Sequence, residues 1–188
     1  MSKKFYISDL HFGHKNVLTY DNRPWHSVED MEQALISNWN SVVGAGDLVY
    51  VLGDMFWCND SESLRILDQL NGQIILIKGN HDRHGGEYLN RFAKVTDYLE
   101  TDDEGRKVVL CHYPIPCFNR HYYGAYHLYG HVHTGFEANM MENIKQQMID
   151  LYTVPCNMFN VGCMTRLIDY IPRTLDEIIA RSEVSAIN

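Results

Sequence analysis

Val49-Tyr50-Val51-Leu52-Gly53-Asp54 is the stretch that decides how this chain folds. Four apolar residues in a row, with valines at 49 and 51, are too few for a helix and lack the alternation of a half-exposed strand. They read as a strand buried on both faces that delivers a carboxylate at its end. The same pattern recurs on either side. Phe5-Tyr6-Ile7-Ser8 runs into Asp9, with His11 two further on, and Ile74-Ile75-Leu76-Ile77-Lys78-Gly79 runs into Asn80-His81-Asp82. Val108-Val109-Leu110-Cys111 delivers His112, and Leu128-Tyr129-Gly130 delivers His131, with His133 behind it. Ligands of open α/β sheets bind beyond the carboxyl ends of the strands. Five such ends, each carrying a metal- or proton-binding group, predict one converging site.

The segments between the runs supply helices. Ser27 reads as an N-cap with Glu29 and Asp30 in the first turn, and Val28, Met31, Leu35, Trp39 and Val42 share one helical face. Ser61 or Ser63 is expected to cap a shorter helix with Leu64, Leu67 and Leu70 inward, stopped by Gly72. Strand, helix, strand, helix, strand over residues 4–78 predicts a parallel sheet with right-handed crossovers. Further on, Thr96–Glu100 and Lys107–Cys111 read as a hairpin, residues 141–151 as a helix and residues 157–162 as a late strand. Thr174 and Glu177 form a capping box for a C-terminal helix. There is no repeat, low-complexity tract or linker, so residues 1–188 read as one domain.

Composition narrows the function classes. The chain has 188 residues, 45% of them apolar, and no run approaches the ~18 residues of a membrane span. Met1-Ser2-Lys3-Lys4 leads directly into a strand, which predicts no signal peptide. Five cysteines, an odd number without a C-x-x-C pair, read as reduced thiols of a cytoplasmic protein. A net charge of −8 argues against a general nucleic-acid surface.

Each candidate residue alone has a structural explanation, since a single histidine after a strand is more often hydrogen-bonded than a ligand. The joint pattern is different. Asp9, His11, Asp54, Asn80, His112, His131 and His133 are seven oxygen or nitrogen donors, none from cysteine, at matching strand ends. Polar groups gathered at buried edges are costly unless something pairs them. A metal site accounts for them better than chance.

Asp9-x-His11, Gly53-Asp54, Gly79-Asn80-His81-Asp82, His112 and Gly130-His131-x-His133 together resemble the signature of the calcineurin-like metallophosphoesterases, in the family's order over residues 9–133. Phe12-Gly13-His14, Arg23-Pro24 and His112-Tyr113-Pro114 are similar to small bacterial and phage members. The resemblance implies a four-layer α/β/β/α sandwich of two mixed sheets flanked by helices. It also implies two divalent ions, the first on Asp9, His11 and His133 and the second on Asn80, His112 and His131. Asp54 would bridge them, and a bridging hydroxide would attack phosphorus in line. His81 would protonate the leaving oxygen or stabilise the phosphoryl group, and Asp82 would either orient that ring or shape the turn. The donor set suits Mn²⁺ or iron, with Zn²⁺, Co²⁺ or Ni²⁺ compatible. Two such ions, less the charges of Asp9, Asp54 and a hydroxide, leave the cleft at roughly +1, enough to draw a phosphate.

The implied activity is hydrolysis of a small phosphorylated substrate, with a nucleotide as the leading type and no membrane partner. A metal-dependent nuclease and a non-catalytic scaffold are the alternatives; filled ligand positions speak against the scaffold. Met55-Phe56-Trp57 after Gly53-Asp54, and Asp82 ending the third motif, depart from the protein-phosphatase pattern. Asn80, His81 and Arg83 are substrate-contact candidates, with Arg23 a further phosphate contact. The loop Phe118-Asn119-Arg120-His121-Tyr122-Tyr123 is expected to border the cleft, where it would stack a base or pack down. His14, His26, His84, His121 and His127 read as surface or satisfied core histidines.

Overall fold

The computed structural model describes residues 2–82 and 85–185. Strands β1 (Lys4–Ile7), β2 (Leu48–Val51), β3 (Gln73–Ile77) and β4 (Lys94–Thr96) form one sheet in that order. Strands β5 (Tyr98–Asp103), β6 (Arg106–Cys111), β7 (Tyr126–Tyr129) and β8 (Met158–Asn160) form the other. The helices are α1 (Val17–Tyr20), α2 (Val28–Val42), α3 (Asp60–Leu67), α4 (Phe136–Tyr152) and α5 (Leu175–Ser185). The architecture is α/β, two sheets flanked by helices. Every strand pairing in the first sheet is parallel, as the strand–helix alternation over residues 4–78 predicts, whereas the resemblance implied a mixed sheet here. Each link in that half is a crossover, and crossovers return a strand parallel. The second sheet is mixed: β5 and β6 form the antiparallel hairpin, while β6, β7 and β8 run parallel.

Burial follows from the strand period. Val108, Leu110 and Leu128 point into a core shared with Phe5, Ile7, Val49 and Val51. The intervening Val109 and Tyr129 point the other way, under Met141 and Met148 of α4. The methionine stripe of α4 therefore packs on the outer face of the second sheet. On the outside of the first, α2 inserts Met31, Leu35 and Trp39, and α3 inserts Ile66 and Leu67. A tyrosine survives in buried β1 because Tyr6 donates its hydroxyl to Asp103 at 2.9 Å across to the hairpin.

The caps are mostly as read. Asp30 N–H donates to Ser27 Oγ at 3.0 Å, and Thr174 and Glu177 bond reciprocally. α3 differs. Asn59, not Ser61 or Ser63, is its cap, exchanging hydrogen bonds with Glu62. Ser63 lies inside the helix and donates back to Asn59 O at 2.9 Å. Asparagine caps as well as serine does, and only Asn59 has a glutamate three residues on.

Two features bring the strand ends together. Parallel registers Ile7↔Val51, Val51↔Leu76 and Leu110↔Leu128 align the carboxyl ends within each sheet. The chain just after β8 then joins the sheets: Val161 N–H donates to Tyr129 O, Ser8 N–H to Val161 O, and Cys163 N–H to Ser8 O, at 2.7–2.8 Å. No helix among the described residues is long and apolar enough to cross a membrane.

His127, in the middle of β7, is fully buried. Its Nδ1–H donates to Val109 O at 3.0 Å, and its Nε2 accepts from Ile115 N–H at 3.0 Å, so the partners fix a neutral ring. Burial pushes its pKa down from 6.5 to about 4. The unfolded chain therefore takes up this proton first as pH falls. The ring's contribution to stability is complete above pH 6.5 and is lost as pH falls towards 4, at up to about 1.4 kcal/mol per pH unit. His127→Gln is expected to flatten the pH dependence of the unfolding free energy across that window. Urea unfolding of both proteins at several pH values checks it, and identical slopes would refute it.

Candidate metal centre

All seven donor candidates meet at the shared edge. Asp9, His11 and His133 present ligand atoms within 4.8 Å of one another, and so do Asp9, Asp54 and His112. Asn80 Oδ1 lies 3.1 Å from His112 Nε2 and 2.9 Å from His131 Nδ1, which adds the remaining pair. Asp54 stands between the groups. Its Oδ2 is 3.9 Å from His11 Nε2 on one side and 3.5 Å from His112 Nε2 on the other, with His81 Nε2 also at 3.9 Å.

The donors fit divalent cations. His112 Nδ1–H donates to Leu52 O at 2.7 Å, which turns Nε2 towards Asp54 Oδ2 and Asn80 Oδ1. His133 Nδ1–H donates to Asp21 Oδ1 at 2.6 Å, and its Nε2 faces Asp9 Oδ1 at 3.7 Å and His11 Nε2 at 3.3 Å. Acceptors that face acceptors need a cation between them. Burial pushes the Asp9 carboxyl up, partly countered by His112 and His133. Burial, with the charges of His133 and Arg23 nearby, pushes His11 down to about 2, so it offers the neutral ring that a metal ligand requires. Burial also lowers His131. For His133 burial pulls downward, but the Asp21 hydrogen bond and the Asp9 charge outweigh it and raise the ring. Acid and metal thus compete for the same nitrogen.

Comparison with known proteins gives the family. The calcineurin-like phosphoesterase superfamily domain matches residues 3–174. The chain belongs to that superfamily. It is 33% identical over 182 residues to an uncharacterized protein of Methanocaldococcus jannaschii, covering 95% of this chain and 90% of that one. The gene 66 protein of Mycobacterium phage D29 is 30% identical over 179 residues, covering 80% and 88%. A solved structure of a protein of unknown function from Aquifex aeolicus superposes with a TM-score of 0.72 at 25% identity, covering 96% of this chain and 99% of that one.

This calcineurin-like centre is strained. Asp9, His11, Asp54, His131 and His133 all have φ between 47° and 72°. Left-handed backbone at non-glycine residues costs about 1–3 kcal/mol each and persists only where neighbours enforce it. The enforcers are visible. Asp9 N–H donates to Gly53 O and His11 N–H to Asp54 O, both at 3.0 Å, so the first two turns brace each other. Gly79 and Gly130 lie against them so closely that a Cβ would strike Asp54 and Ser8 Oγ respectively.

Arg23 has different work from that expected, and Asp82 takes the second of its two expected roles, shaping the turn. Arg23 is buried; it donates to Asp9 O and Leu10 O at 2.8 Å and to Asp21 Oδ2 at 2.9 and 3.0 Å. Asp82 does not spend its carboxylate on the His81 ring. It accepts from the backbone N–H groups of Asp54, Met55 and Gly79 at 2.8–3.1 Å, tying the second and third turns together. Arg83 lies outside the described residues, as does His84. The 118–123 loop sits at the far edge, where Asn119 donates to Glu100 Oε2 at 3.0 Å and Phe118 is buried. Parallel β6 and β7 require their link to return to the opposite end, which carries it away from the site.

Asp21 was invisible as a site residue: nothing in an unassigned polar stretch marks it as the partner of a histidine 112 positions later. A carboxylate on the outer nitrogen of a metal histidine fixes ring orientation and raises its basicity. Asp21→Ala is expected to weaken ion binding by about 10–100-fold at the group containing His133. Titration of metal into chelator-stripped protein measures this, and unchanged affinity at every step would remove Asp21 from the centre.

Proposed function

We propose that this chain hydrolyses phosphate ester bonds with two divalent ions, one held by Asp9, His11 and His133, the other by Asn80, His112 and His131. The observation that carries the reading is the place of Asp54 Oδ2, between His11 Nε2 at 3.9 Å and His112 Nε2 at 3.5 Å. One carboxylate there serves both groups. When bound, the ions supply Lewis acidity: they acidify a water for in-line attack on phosphorus and neutralise the phosphoryl oxygens.

The chain's own residues do the rest. Asn80 brings a neutral oxygen where a further carboxylate would cancel charge needed for the phosphate. His81 follows it, and its backbone N–H donates to Asp54 Oδ1 at 2.9 Å, which fixes the start of the side chain beside the centre. Its ring is 40% exposed, so it stands on the open side where an ester would enter. There it hydrogen-bonds the phosphoryl group or gives its proton to the leaving oxygen. Mn²⁺ or iron suits this donor set, and a small nucleotide-like ester suits an acidic chain whose only attraction for phosphate is local.

The test is turnover of bis-p-nitrophenyl phosphate and p-nitrophenyl phosphate by protein stripped with chelator and reloaded with Mn²⁺, alongside metal analysis. Activity on either ester is expected to follow the ions, and their ratio separates diesterase from monoesterase. His81→Ala should lower turnover by about 10²-fold with both ions retained. No cleavage of either ester by protein holding two ions would overturn the proposal.

A further inference from the structure

A general acid must be held, and the expected holder of His81 is engaged elsewhere. Asp82 is taken up by three backbone amides. Among the described residues no hydrogen bond reaches the His81 ring, and Asp54 Oδ2, at 3.9 Å, is beyond hydrogen-bond reach. Aromatic rings surround it instead. The Trp57 indole meets His81 at a centroid distance of 4.5 Å and an interplanar angle of 61°, an edge-to-face contact. His11 lies 5.8 Å away, tilted at 58°.

Trp57 is itself fixed. His14 stacks on it at 4.2 Å and 12°, and Tyr20 meets His14 edge-on at 6.3 Å. Trp57 N–H donates to Phe12 O at 2.7 Å, and His14 N–H to His11 O at 3.0 Å. The indole is thus pinned by its backbone and by a stacked ring on the same loop that carries His11. It is nevertheless 46% exposed, an open position for the largest side chain in the protein. Isolated surface hydrophobics are ordinary. This one touches His81, whose ring has no hydrogen-bonding partner to aim it among the described residues.

We propose that Trp57 is the positioning residue of His81, an aromatic wall backed by His14 that orients the imidazole where a carboxylate was expected to do so. The inference rests on the reading of His81 as the group serving the leaving oxygen. The wall acts through ring geometry: it restricts rotation of the side chain while leaving both ring nitrogens free for the substrate. Phenylalanine would preserve much of that surface, and alanine none.

The experiment is a double-mutant cycle on the manganese-loaded enzyme with two monoesters, p-nitrophenyl phosphate and phenyl phosphate, the second having the poorer leaving group. Trp57→Ala is expected to lower kcat for phenyl phosphate by about 10-fold or more, with a smaller loss for p-nitrophenyl phosphate and little change in KM. Trp57→Phe should recover most of that loss. The double variant with His81→Ala should be no slower than His81→Ala alone, because both act through one ring. Metal content and the unfolding midpoint control for structural damage. A second readout avoids turnover: in the protein loaded with diamagnetic Zn²⁺, the His81 ring-proton resonances should shift on Trp57→Ala and largely return in Trp57→Phe. If His81→Ala slows the enzyme but Trp57→Ala does not, the positioning role is overturned and the His81 reading stands. If His81→Ala has no effect, the underlying reading fails instead. A rise in KM from Trp57→Ala that persists in the His81→Ala background would make the indole a direct substrate contact and overturn the proposal.

Discussion

Ring nitrogens and carboxylate oxygens crowded together inside a protein need positive charge among them, and that need sets the terms for the rest of this fold. His112 against Asp54 and His133 against Asp9 stand 3.5 and 3.7 Å apart, with Asp9 and Asp54 almost wholly buried. Leaving two carboxylates there unpaired would cost several kcal/mol per ion. The arrangement makes sense as a preformed cage for positive charge. Two sheets, sealed edge to edge through Ser8 and Val161, are the means of bringing the donors within range.

Holding that cage demands backbone that proteins otherwise avoid. Five left-handed residues among the candidate donors, at about 1–3 kcal/mol each, form a debt comparable to a domain's whole stability. Charged residues hold it in place. Arg23 grips the carbonyls of Asp9 and Leu10 from below, and Asp82 gathers three amides from the turns after β2 and β3. Hydrogen bonds to charged groups contribute about 1.5–3 kcal/mol each, so these five are of the right size to offset the strain. Both residues looked like candidates for chemistry, and both are used to hold backbone.

The strand ends were legible in the sequence because a buried parallel strand must be apolar on both faces, so the first polar residue marks where it leaves the core. That logic marks Asp9, Asp54, Asn80, His112 and His131 as candidates, while His11 and His133, two residues beyond a strand-end candidate, rest on the motif resemblance; the structure brings all seven together. Strand-end logic could not find Asp21 or the orienting surface of Trp57, since neither sits at a strand end and their partners are distant in the chain. Residue type alone favours Ser61 or Ser63 as the N-cap of α3, whereas the spacing of Asn59 and Glu62 is what identifies the cap. The 118–123 loop lies between two donor-bearing strands in sequence, yet a link between parallel strands has to turn round at the other end, which sequence neighbours do not reveal.

That return also divides the molecule into a working edge and an idle one. Tyr123, 84% exposed beside Gly124, sits on the idle edge, separated from the cage by the length of β7. Extra chain, a tether or a label inserted there would meet the solvent without crossing the path of anything approaching the ions.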